Sequence, residues 1–287
     1  MKKRSLLLIV MLLIAAITVT THAATVPENV EWIELSSKED FLEWFGNTTK
    51  AKNLTANYTA GMTRYYKLTD DITIDQDSTV YYLSASSYEV NTYIDLNGHT
   101  LTYASPKETG ATRLFGSYND KTTTTVVNGT IENKSNITGA SGGLFFMNKG
   151  KLYMEDVLIN DKADAAYTNS GKVISAVGYD VTLINVDINT GTTAENAYSL
   201  AVRCENATLT MVDCNLTSAS TKRTVNGGLV YQVGGTLNIT NCTFTGGLGK
   251  FGGNIYSKDA AVTISGSTFT NGRSVTGGQG GNVAIYN

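Results

Sequence analysis

Apolar and polar residues alternate in a nine-residue frame that recurs seven times along this chain. The frame reads apolar, polar, apolar, polar, bend, apolar, polar, apolar, polar, and residues 237–245 (LNITNCTFT) fit it at every position. The other copies begin at Ile94, Leu152, Val181, Leu209 and Val262, with a looser copy at Thr124. In chain order the starts lie 30, 28, 29, 28, 28 and 25 residues apart. A period of this length indicates a structural repeat.

The fifth position of the frame is the bend, and it contains only glycine, asparagine or aspartate. The bend residues, which we name the turn ladder, are Gly98, Asn128, Asp156, Asn185, Asp213, Asn241 and Gly266. These residue types enter the left-handed backbone region at the lowest cost, so the pattern predicts a positive φ at each bend. After the bend the alternation restarts one step out of phase, as in Cys242 and Phe244. Each copy is therefore predicted to form two short strands with inward apolar side chains.

A further short strand precedes each copy at a near-constant distance. Four of these strands follow a Gly-Gly pair, and their first residues are Arg113, Leu144, Val173, Leu200, Leu229, Asn254 and Asn282. Three short strands per coil of roughly 25 to 30 residues are typical of a solenoid of parallel strands. The sequence therefore predicts an all-β fold of about seven regular coils, stacked at the strand spacing of about 4.8 Å.

The first 23 residues have a different character. Residues 2–4 (KKR) are basic, residues 6–19 are apolar, and residues 21–23 (THA) form a small-residue cleavage site. This order is typical of a secretory signal peptide. A membrane anchor is the alternative, but these 14 apolar residues are fewer than the ~20 that a bilayer span requires. We therefore predict that residues 1–23 are removed and that the protein is secreted or lies at the cell surface.

Residues 24–64 are predicted to form an N-terminal capping region. Ser37 precedes the amphipathic stretch KEDFLEWF, which has acidic residues in its first turn and is followed by Gly46, and this pattern predicts a short helix. Its apolar side chains would cover the open end of the first coil. Both tryptophans, Trp32 and Trp44, lie in this region. A packed cap is the favoured interpretation of them, and carbohydrate binding is the alternative.

Residues 65–287 are predicted to form the solenoid. The chain stops at Asn287 inside a repeat unit, which favours a piece of a longer protein. The 22 lysine and arginine residues less the three in the signal peptide leave 19, against 25 acidic residues, so the mature net charge is about −6. Such a chain offers no basic surface for nucleic acid. No later stretch is apolar enough to cross a bilayer, so the mature chain is predicted to have no transmembrane span.

The coils resemble the right-handed parallel β-helix of the pectin-lyase-like superfamily, with Asn185, Asp213 and Asn241 in the place of its stacked asparagine turn. This resemblance covers about residues 65–287. It implies a right-handed parallel β-helix as the fold. It implies little about activity, because the superfold hosts lyases, hydrolases and non-catalytic adhesins.

The last coils also resemble the polymorphic outer-membrane-protein repeat of surface adhesins, in which a Gly-Gly-Ala-Ile element alternates with a Phe-x-x-Asn element. Residues 252–272 and 280–287 have this form. They depart from it because Asn254 and Asn282 replace the alanine, and the element at Phe269 is one residue short. The resemblance implies a surface protein.

Enzymes of the pectin-lyase-like superfamily imply two kinds of catalytic site. Its hydrolases use aspartates and a His-Gly pair, but His99 is followed by threonine. His99 is predicted to lie at the first inward position after the bend at Gly98, and a histidine packed against the first coils is favoured. Its lyases use acidic residues that hold calcium, and an arginine or lysine as base. Arg203 and Arg223 are candidate bases, but no outward column places acids on adjacent coils. We therefore predict no catalytic residue, no metal site and no cofactor.

Cys214 and Cys242 occupy the same inward column of successive coils, where Cα atoms about 4.8 Å apart would allow a disulfide. Cys204 lies in the strand before Cys214, and an odd number of cysteines leaves at least one unpaired. Free stacked thiols and a Cys214–Cys242 disulfide both fit the pattern, and free thiols are favoured.

Three aromatic residues are the candidate binding residues. Tyr231 and Tyr256 hold equivalent positions one coil apart, and Phe146 holds the same position in an earlier coil. If they face outward, they form a ladder on which sugars or partner chains could stack. We favour this orientation over an inward one.

Two functions follow from these patterns. The first is an exported, non-catalytic, adhesin-like rod that binds polysaccharide or a surface protein of a host or neighbouring cell on its long faces. The alternative is a polysaccharide-active enzyme such as a calcium-dependent uronate lyase. The polar outer columns and the adhesin resemblance favour the first function.

Overall fold

The structure, a computed structural model, describes residues 24–46, 51–76, 80–106, 113–135, 143–162, 172–191 and 197–287. The predicted signal peptide, residues 1–23, lies outside the described residues. The described part contains two short helices, α1 (Lys38–Phe45) and α2 (Lys52–Thr55). Its strands are β1 (Trp32–Leu35), β2 (Met62–Leu68), β3 (Ile72–Ile74), β4 (Val80–Tyr82), β5 (Val90–Asp95), β6 (Thr100–Tyr103), β7 (Arg113–Ser117), β8 (Thr123–Asn133), β9 (Phe145–Met147), β10 (Lys151–Asp161), β11 (Ile174–Val177), β12 (Val181–Thr190), β13 (Val202–Val212), β14 (Asn215–Ser218), β15 (Val230–Thr240), β16 (Thr243–Thr245), β17 (Leu248–Phe251), β18 (Ile255–Lys258), β19 (Ala261–Ser265), β20 (Thr268–Thr270), β21 (Arg273–Gln279) and β22 (Val283–Tyr286).

The strands pair in parallel, each with the strands one coil before and after it. In the column that begins the repeat frame, Leu152 of β10 lies opposite Thr124 of β8 and Val181 of β12. The same column continues through Leu209 and Leu237. This pairing produces a parallel β-solenoid of about 7 turns, which confirms the predicted all-β coiled architecture.

All seven residues of the turn ladder have a positive φ. The values are 80° at Gly98, 57° at Asn128, 55° at Asp156, 50° at Asn185, 54° at Asp213, 54° at Asn241 and 58° at Gly266. The bends stack because the residues on both sides of them pair in register from coil to coil. The side chains bond along the stack, and the Asn185 amide donates to Asp156 Oδ1 at 2.5 Å. At Gly266 a Cβ atom would meet Oδ1 of Asn241, so a larger residue there would have to displace that side chain.

The first copy of the frame differs from the prediction by two residues. Thr92, not Ile94, lies opposite Thr124. The next strands come into register again at Thr100, which lies opposite Thr130. Four residues, 96–99, therefore form this turn, whereas only residues 128 and 129 form it in the following coil.

This longer turn corrects the position of His99. Both Asn97 and Gly98 have positive φ values, 52° and 80°, so the turn contains two left-handed residues. His99 follows them at the surface, with 31% of its side chain exposed and its Nδ1 3.5 Å from Asp71 Oδ1. The inward position predicted for this histidine is therefore wrong.

The interior consists of apolar columns that run along the solenoid. Val181, Leu209 and Leu237 form one column before the bend, and all three are fully buried. Ile188, Leu216 and Phe244 form another column after the bend and are also fully buried. Burial of each such side chain contributes about 1.5–3 kcal/mol, so stacked coils supply the stability that one coil alone lacks.

Helix α1 covers the N-terminal end of this interior. Its N-cap is Ser37, whose hydroxyl accepts the backbone N–H of Asp40 at 3.2 Å. Phe41 and Phe45 are buried and point into the first coils, where the Phe45 ring centroid lies 4.6 Å from that of Tyr66. The predicted cap helix is present with these residues as its contact face.

Two details of the cap differ from expectation. Gly46 has a φ of −47°, so glycine is required there by space and not by a left-handed turn, since a Cβ atom would meet the carbonyl of Leu42. Strand β1 pairs in parallel with β2, with Trp32 opposite Tyr65. The sheet therefore begins inside the region that the sequence assigned to the cap alone.

We expect the substitution Asn185→Ala to lower the free energy of unfolding by about 1–3 kcal/mol. Alanine is strained in a left-handed bend, and it cannot make the hydrogen bond to Asp156. Asn185→Gly should cost less, since glycine tolerates the bend. Denaturant unfolding followed by circular dichroism measures both. The control is Asn238→Ala on an outward strand position, which should cost less than about 0.5 kcal/mol. Equal losses at positions 185 and 238 would contradict the importance of the bend.

Candidate functional site

Four tyrosines form one continuous column on the outside of the last coils. We name it the tyrosine column: Tyr198, Tyr231, Tyr256 and Tyr286. Their successive ring centroids lie 4.8, 5.4 and 5.5 Å apart, and the middle pair is stacked with an interplanar angle of 10°. The middle pair meets because β15 and β18 are adjacent and Tyr231 lies opposite Tyr256. The flanking residues Val230 and Ile255 are fully buried, so strand alternation directs these tyrosines outward.

Phe146 shares the register position of these tyrosines but not their contacts. Ser175 and Arg203 occupy the two intervening coils between Phe146 and Tyr231. The face of the Phe146 ring is covered by the guanidinium of Arg113, whose carbon lies 3.6 Å from the ring centroid. The structure therefore brings Tyr231 and Tyr256 together and leaves Phe146 in a separate cluster.

The tyrosine column is less open than the sequence suggested. Tyr231 is only 8% exposed and Tyr256 is half-buried, because their stacked rings cover each other and tilted rings pack on either side. A flat sugar stacked on a ring face would have to displace a neighbouring tyrosine, so the column offers ring edges and hydroxyl groups instead. Burial, together with the negative charge of Glu205, raises the pKa of Tyr231 to about 12, so its hydroxyl is neutral at physiological pH.

Arg203 lies at the start of the tyrosine column and is already engaged. Its guanidinium carbon lies 4.6 Å from the Tyr198 ring centroid, and its Nε lies 2.8 Å from Glu205 Oε1. A guanidinium paired with a carboxylate stays protonated, which does not suit a catalytic base. Arg223, the second candidate base, is exposed in a loop. Across the described ranges no cluster of three or more His, Cys, Asp or Glu side chains could hold a metal ion.

The sequence alone did not reveal two members of the tyrosine column. Tyr198 lies before β13 and outside the repeated frame, so periodicity assigned it no column. Tyr286 lies opposite Lys258, two residues beyond the position equivalent to Tyr256. Only the length of its side chain brings its ring to that of Tyr256.

A polar ladder covers the strands that follow the bends. Asn189 donates to Asn160 Oδ1 at 3.0 Å, and the Thr217 hydroxyl donates to Asn189 Oδ1 at 2.6 Å. Further along the same column, the hydroxyls of Thr245 and Thr270 lie 2.9 Å apart. This face therefore presents uncharged donors and acceptors at the coil spacing, a surface suited to hydroxyl-rich ligands.

Trp44 lines a shallow groove of about 460 Å³ beside the cap. The Arg64 guanidinium carbon and the Lys52 ammonium nitrogen lie 5.6 and 5.7 Å from its ring centroid, and its edge contacts Tyr66. The half-buried tryptophan is thus part of the cap packing, with cations against its ring. Trp32 does not line this groove, but it packs on Tyr65, which does.

All three cysteines are buried free thiols. Cys214 and Cys242 do lie on successive coils, and the Cys214 N–H contacts the Cys242 sulfur at 3.4 Å. Each sulfur is directed to a backbone carbonyl, that of Val212 for Cys214 and that of Thr240 for Cys242, both at 3.2 Å. The three thiols are free in this arrangement, and free stacked thiols rather than a Cys214–Cys242 disulfide remain the prediction.

We expect native thiols to react slowly and denatured thiols to react completely. Burial raises the pKa of Cys204 to about 12. A hydrogen bond with the Cys242 side chain, together with burial, raises the pKa of Cys214. Since the thiolate is the reactive form, alkylation at pH 8 should leave these two side chains unmodified in the folded protein. Titration in denaturant without reductant should then count three thiols, and a count of one would show that a disulfide exists.

A third aromatic surface lies under the N-terminal segment. Trp32, Tyr65 and Tyr93 contact one another on the outward side of the first coils, with centroids 5.7 to 5.9 Å apart. The chain before Trp32 passes beside this cluster, and the carbonyl of Thr25 accepts the Tyr93 hydroxyl at 3.2 Å. The backbone nitrogen of Ala24 lies 2.7 Å from Oδ2 of Asp156 in the turn ladder.

Comparison with protein-family models, with curated proteins and with solved structures found no match to this chain. Within the described residues, neither helix is long and apolar enough to cross a membrane. The geometry of the outer surfaces is therefore the basis for a function.

Proposed function

We propose that this protein is an exported, non-catalytic β-solenoid that binds glycans or partner proteins on its outward faces. The observation that carries the proposal is the tyrosine column, with Arg203 and Glu205 at its start. It combines apolar ring edges, neutral hydroxyls and one ion pair on a single face. Tyrosine and arginine are the residues that most often dominate binding surfaces.

The polar ladder extends this surface to ligands with repeating hydroxyl groups. Its side chains repeat at the strand spacing of about 4.8 Å, so several weak bonds could form along one polymer. Asn189 and Thr217 already bond to neighbouring coils, which holds them in one rotamer. A surface ordered in advance loses less conformational entropy on binding.

The two asparagines that depart from the surface-adhesin repeat are accommodated by hydrogen bonds. Asn254 is fully buried, and its amide donates to Asn282 Oδ1 at 2.9 Å. Each Oδ1 accepts a backbone N–H from a neighbouring loop, that of Gly247 or Gly272, at 2.9 Å. Asparagine at the alanine position thus links strand and loop, and the repeat remains compatible with the fold.

We expect Tyr256→Ala to weaken binding by about two- to twelvefold, because the loss of an aromatic contact costs about 0.5–1.5 kcal/mol and each 1.4 kcal/mol is a factor of ten. Co-sedimentation with insoluble pectate, xylan, cellulose and chitin measures it. The control is Tyr65→Ala, which removes an outward tyrosine near the cap. Loss of binding in the control alone would assign the ligand to the Trp44 groove.

The same polymers test the absence of catalysis. Soluble polygalacturonate with calcium should give no unsaturated product, measured by absorbance of the conjugated double bond. Turnover that Arg203→Ala abolishes would replace the proposed function with that of a uronate lyase.

Export is the second part of the proposal, and the contact of Ala24 supports it. Cleavage after Ala23 would convert the Ala24 nitrogen into an α-ammonium 2.7 Å from the Asp156 carboxylate. Ala24 is only 9% exposed. Burial, with the charges of Asp95 and Glu155, raises the pKa of Tyr93 to about 12, which marks the surroundings as acidic. A new positive charge fits this place.

We expect Asp156→Asn to lower the free energy of unfolding of the mature protein by about 1 kcal/mol near pH 6.5, through loss of the ion pair. Near pH 10, where the amine is neutral, the substitution should remove no ion pair. The carboxylate raises the pKa of the α-ammonium in the folded protein above its ordinary value of about 7.7–8.0. The stabilisation is therefore complete at pH values below this ordinary pKa, and it is lost as the pH rises through the higher pKa of the folded protein. Asparagine keeps the left-handed bend, as it does at position 185. Thermal unfolding against pH measures the effect.

The matched control is Asp213→Asn in the same turn ladder. It should show no such pH dependence. N-terminal sequencing of the exported protein should begin at Ala24. A different first residue, or equal pH profiles for the two variants, would contradict the ion pair.

A further inference from the structure

A buried polar cluster lies where the strands of two successive coils end, away from the outward faces. Asn133 is the last residue of β8, Asp161 is the last residue of β10, and the two lie opposite each other. Lys172 lies just before β11, and Ser135 just after β8. All four residues are at most 1% exposed.

The carboxylate of Asp161 connects an amine to an amide. Its Oδ1 accepts the Nδ2–H of Asn133 at 2.8 Å, and its Oδ2 lies 3.0 Å from Nζ of Lys172. The amine and the amide nitrogen therefore contact opposite oxygens of one carboxyl group. The side-chain oxygen of Asn133, Oδ1, accepts two hydrogen bonds from Ser135, one from the backbone N–H at 3.2 Å and one from the hydroxyl at 2.6 Å.

These contacts match the requirements of acyl transfer. The amine and the side-chain amide contact one carboxylate, which can move protons between the attacking and leaving nitrogens. Two donors face the oxygen on which negative charge would develop. The fold holds all these groups together in a buried site, which removes the entropic cost of their encounter.

We propose that Lys172 and Asn133 become joined by an amide bond that forms in the folded protein, with Asp161 as the proton carrier. Asp161 accepts a proton from the Lys172 ammonium, and the neutral Nζ attacks Cγ of Asn133. The Ser135 N–H and hydroxyl stabilise the oxyanion of the tetrahedral intermediate. Asp161 delivers the protons to Nδ2, the Cγ–Nδ2 bond breaks, and ammonium leaves. One C–N bond forms, one breaks, and no oxidant or reductant is required.

The bond would join one coil covalently to the next. Asn133 belongs to the coil of β8, whereas Lys172 belongs to the next one, and the Lys172 backbone bonds to Leu144 and Ser199 of the coils on either side. This inference does not depend on ligand binding by the tyrosine column. Either proposal can fail without the other.

Mass spectrometry of the purified protein tests the bond. The intact mass should be lower, by the mass of one ammonia, than the mass calculated from the amino-acid sequence of the purified chain. Trypsin should release residues 122–134 linked to residues 163–203, with cleavage blocked at Lys172. The linked peptide is required, because an asparagine–glycine pair such as Asn128–Gly129 can also lose ammonia by ring closure.

Variants identify the role of each group. Lys172→Arg should abolish the linked peptide, and Asp161→Asn should abolish it while both joined residues remain. The matched control is Lys162→Arg, an exposed lysine paired with Glu132, which should retain the bond. Circular dichroism of each variant reports whether the coils fold, and the wild-type mass gives a result even if a variant does not.

Three outcomes would overturn the proposal. One is a wild-type mass equal to the sequence mass. Another is loss of water with Lys172 linked to Asp161, which would make the carboxylate the acceptor. The last is a linked peptide of unchanged abundance in Asp161→Asn, which would remove Asp161 from the reaction.

Discussion

The regular part of the architecture depends on one backbone constraint, a left-handed residue at the same corner of each of the seven coils that carry the turn ladder. This conformation costs most residues about 1 kcal/mol or more, and asparagine, aspartate and glycine meet it at the lowest cost. Because each bend lies over the last, its side chain can bond along the stack, as Asn185 does to Asp156. The corner thus turns the strand and also sets its register. A slip of one residue would move every inward side chain outward.

Fixed register places like residues over like, and this determines both the interior and the surface. Phe244 and Phe269 stack in the interior with centroids 5.0 Å apart, as Tyr231 and Tyr256 do outside at 5.4 Å. Coil spacing is close to the distance at which aromatic rings contact each other. An outward aromatic column therefore covers its own ring faces. Rings that stack on each other on such a surface leave less of their faces accessible to a ligand.

Periodicity predicted the residues whose environment repeats. The bends, the inward columns and the helix with its Ser37 cap all follow from local patterns of residue type. It failed at the turn of residues 96–99, which has two more residues than the equivalent turn of the next coil. The apolar residues still fit the frame, but the strand before the turn pairs two residues away from the predicted register. It also could not show that Ala24 contacts Asp156 or that Lys172 contacts Asp161, since loops and termini follow no period. The overlap of the tyrosine rings likewise depends on side-chain rotamers, which a pattern of residue types does not specify.

The buried polar groups show how a solenoid tolerates polarity in its interior. The buried Asn254 and the partly buried Asn282 bond to each other and to two loop N–H groups, so both amide oxygens are bonded. Lys172 and Asp161 are a different case, since a pair of ions loses its hydration whatever its geometry. A neutral amide between Lys172 and Asn133 would leave a single charge in that corner, still close to the donors that surround it. The same stacking that aligns asparagines elsewhere here aligns an amine, a carboxylate and an amide, and their order along two coils is what makes chemistry between them reasonable.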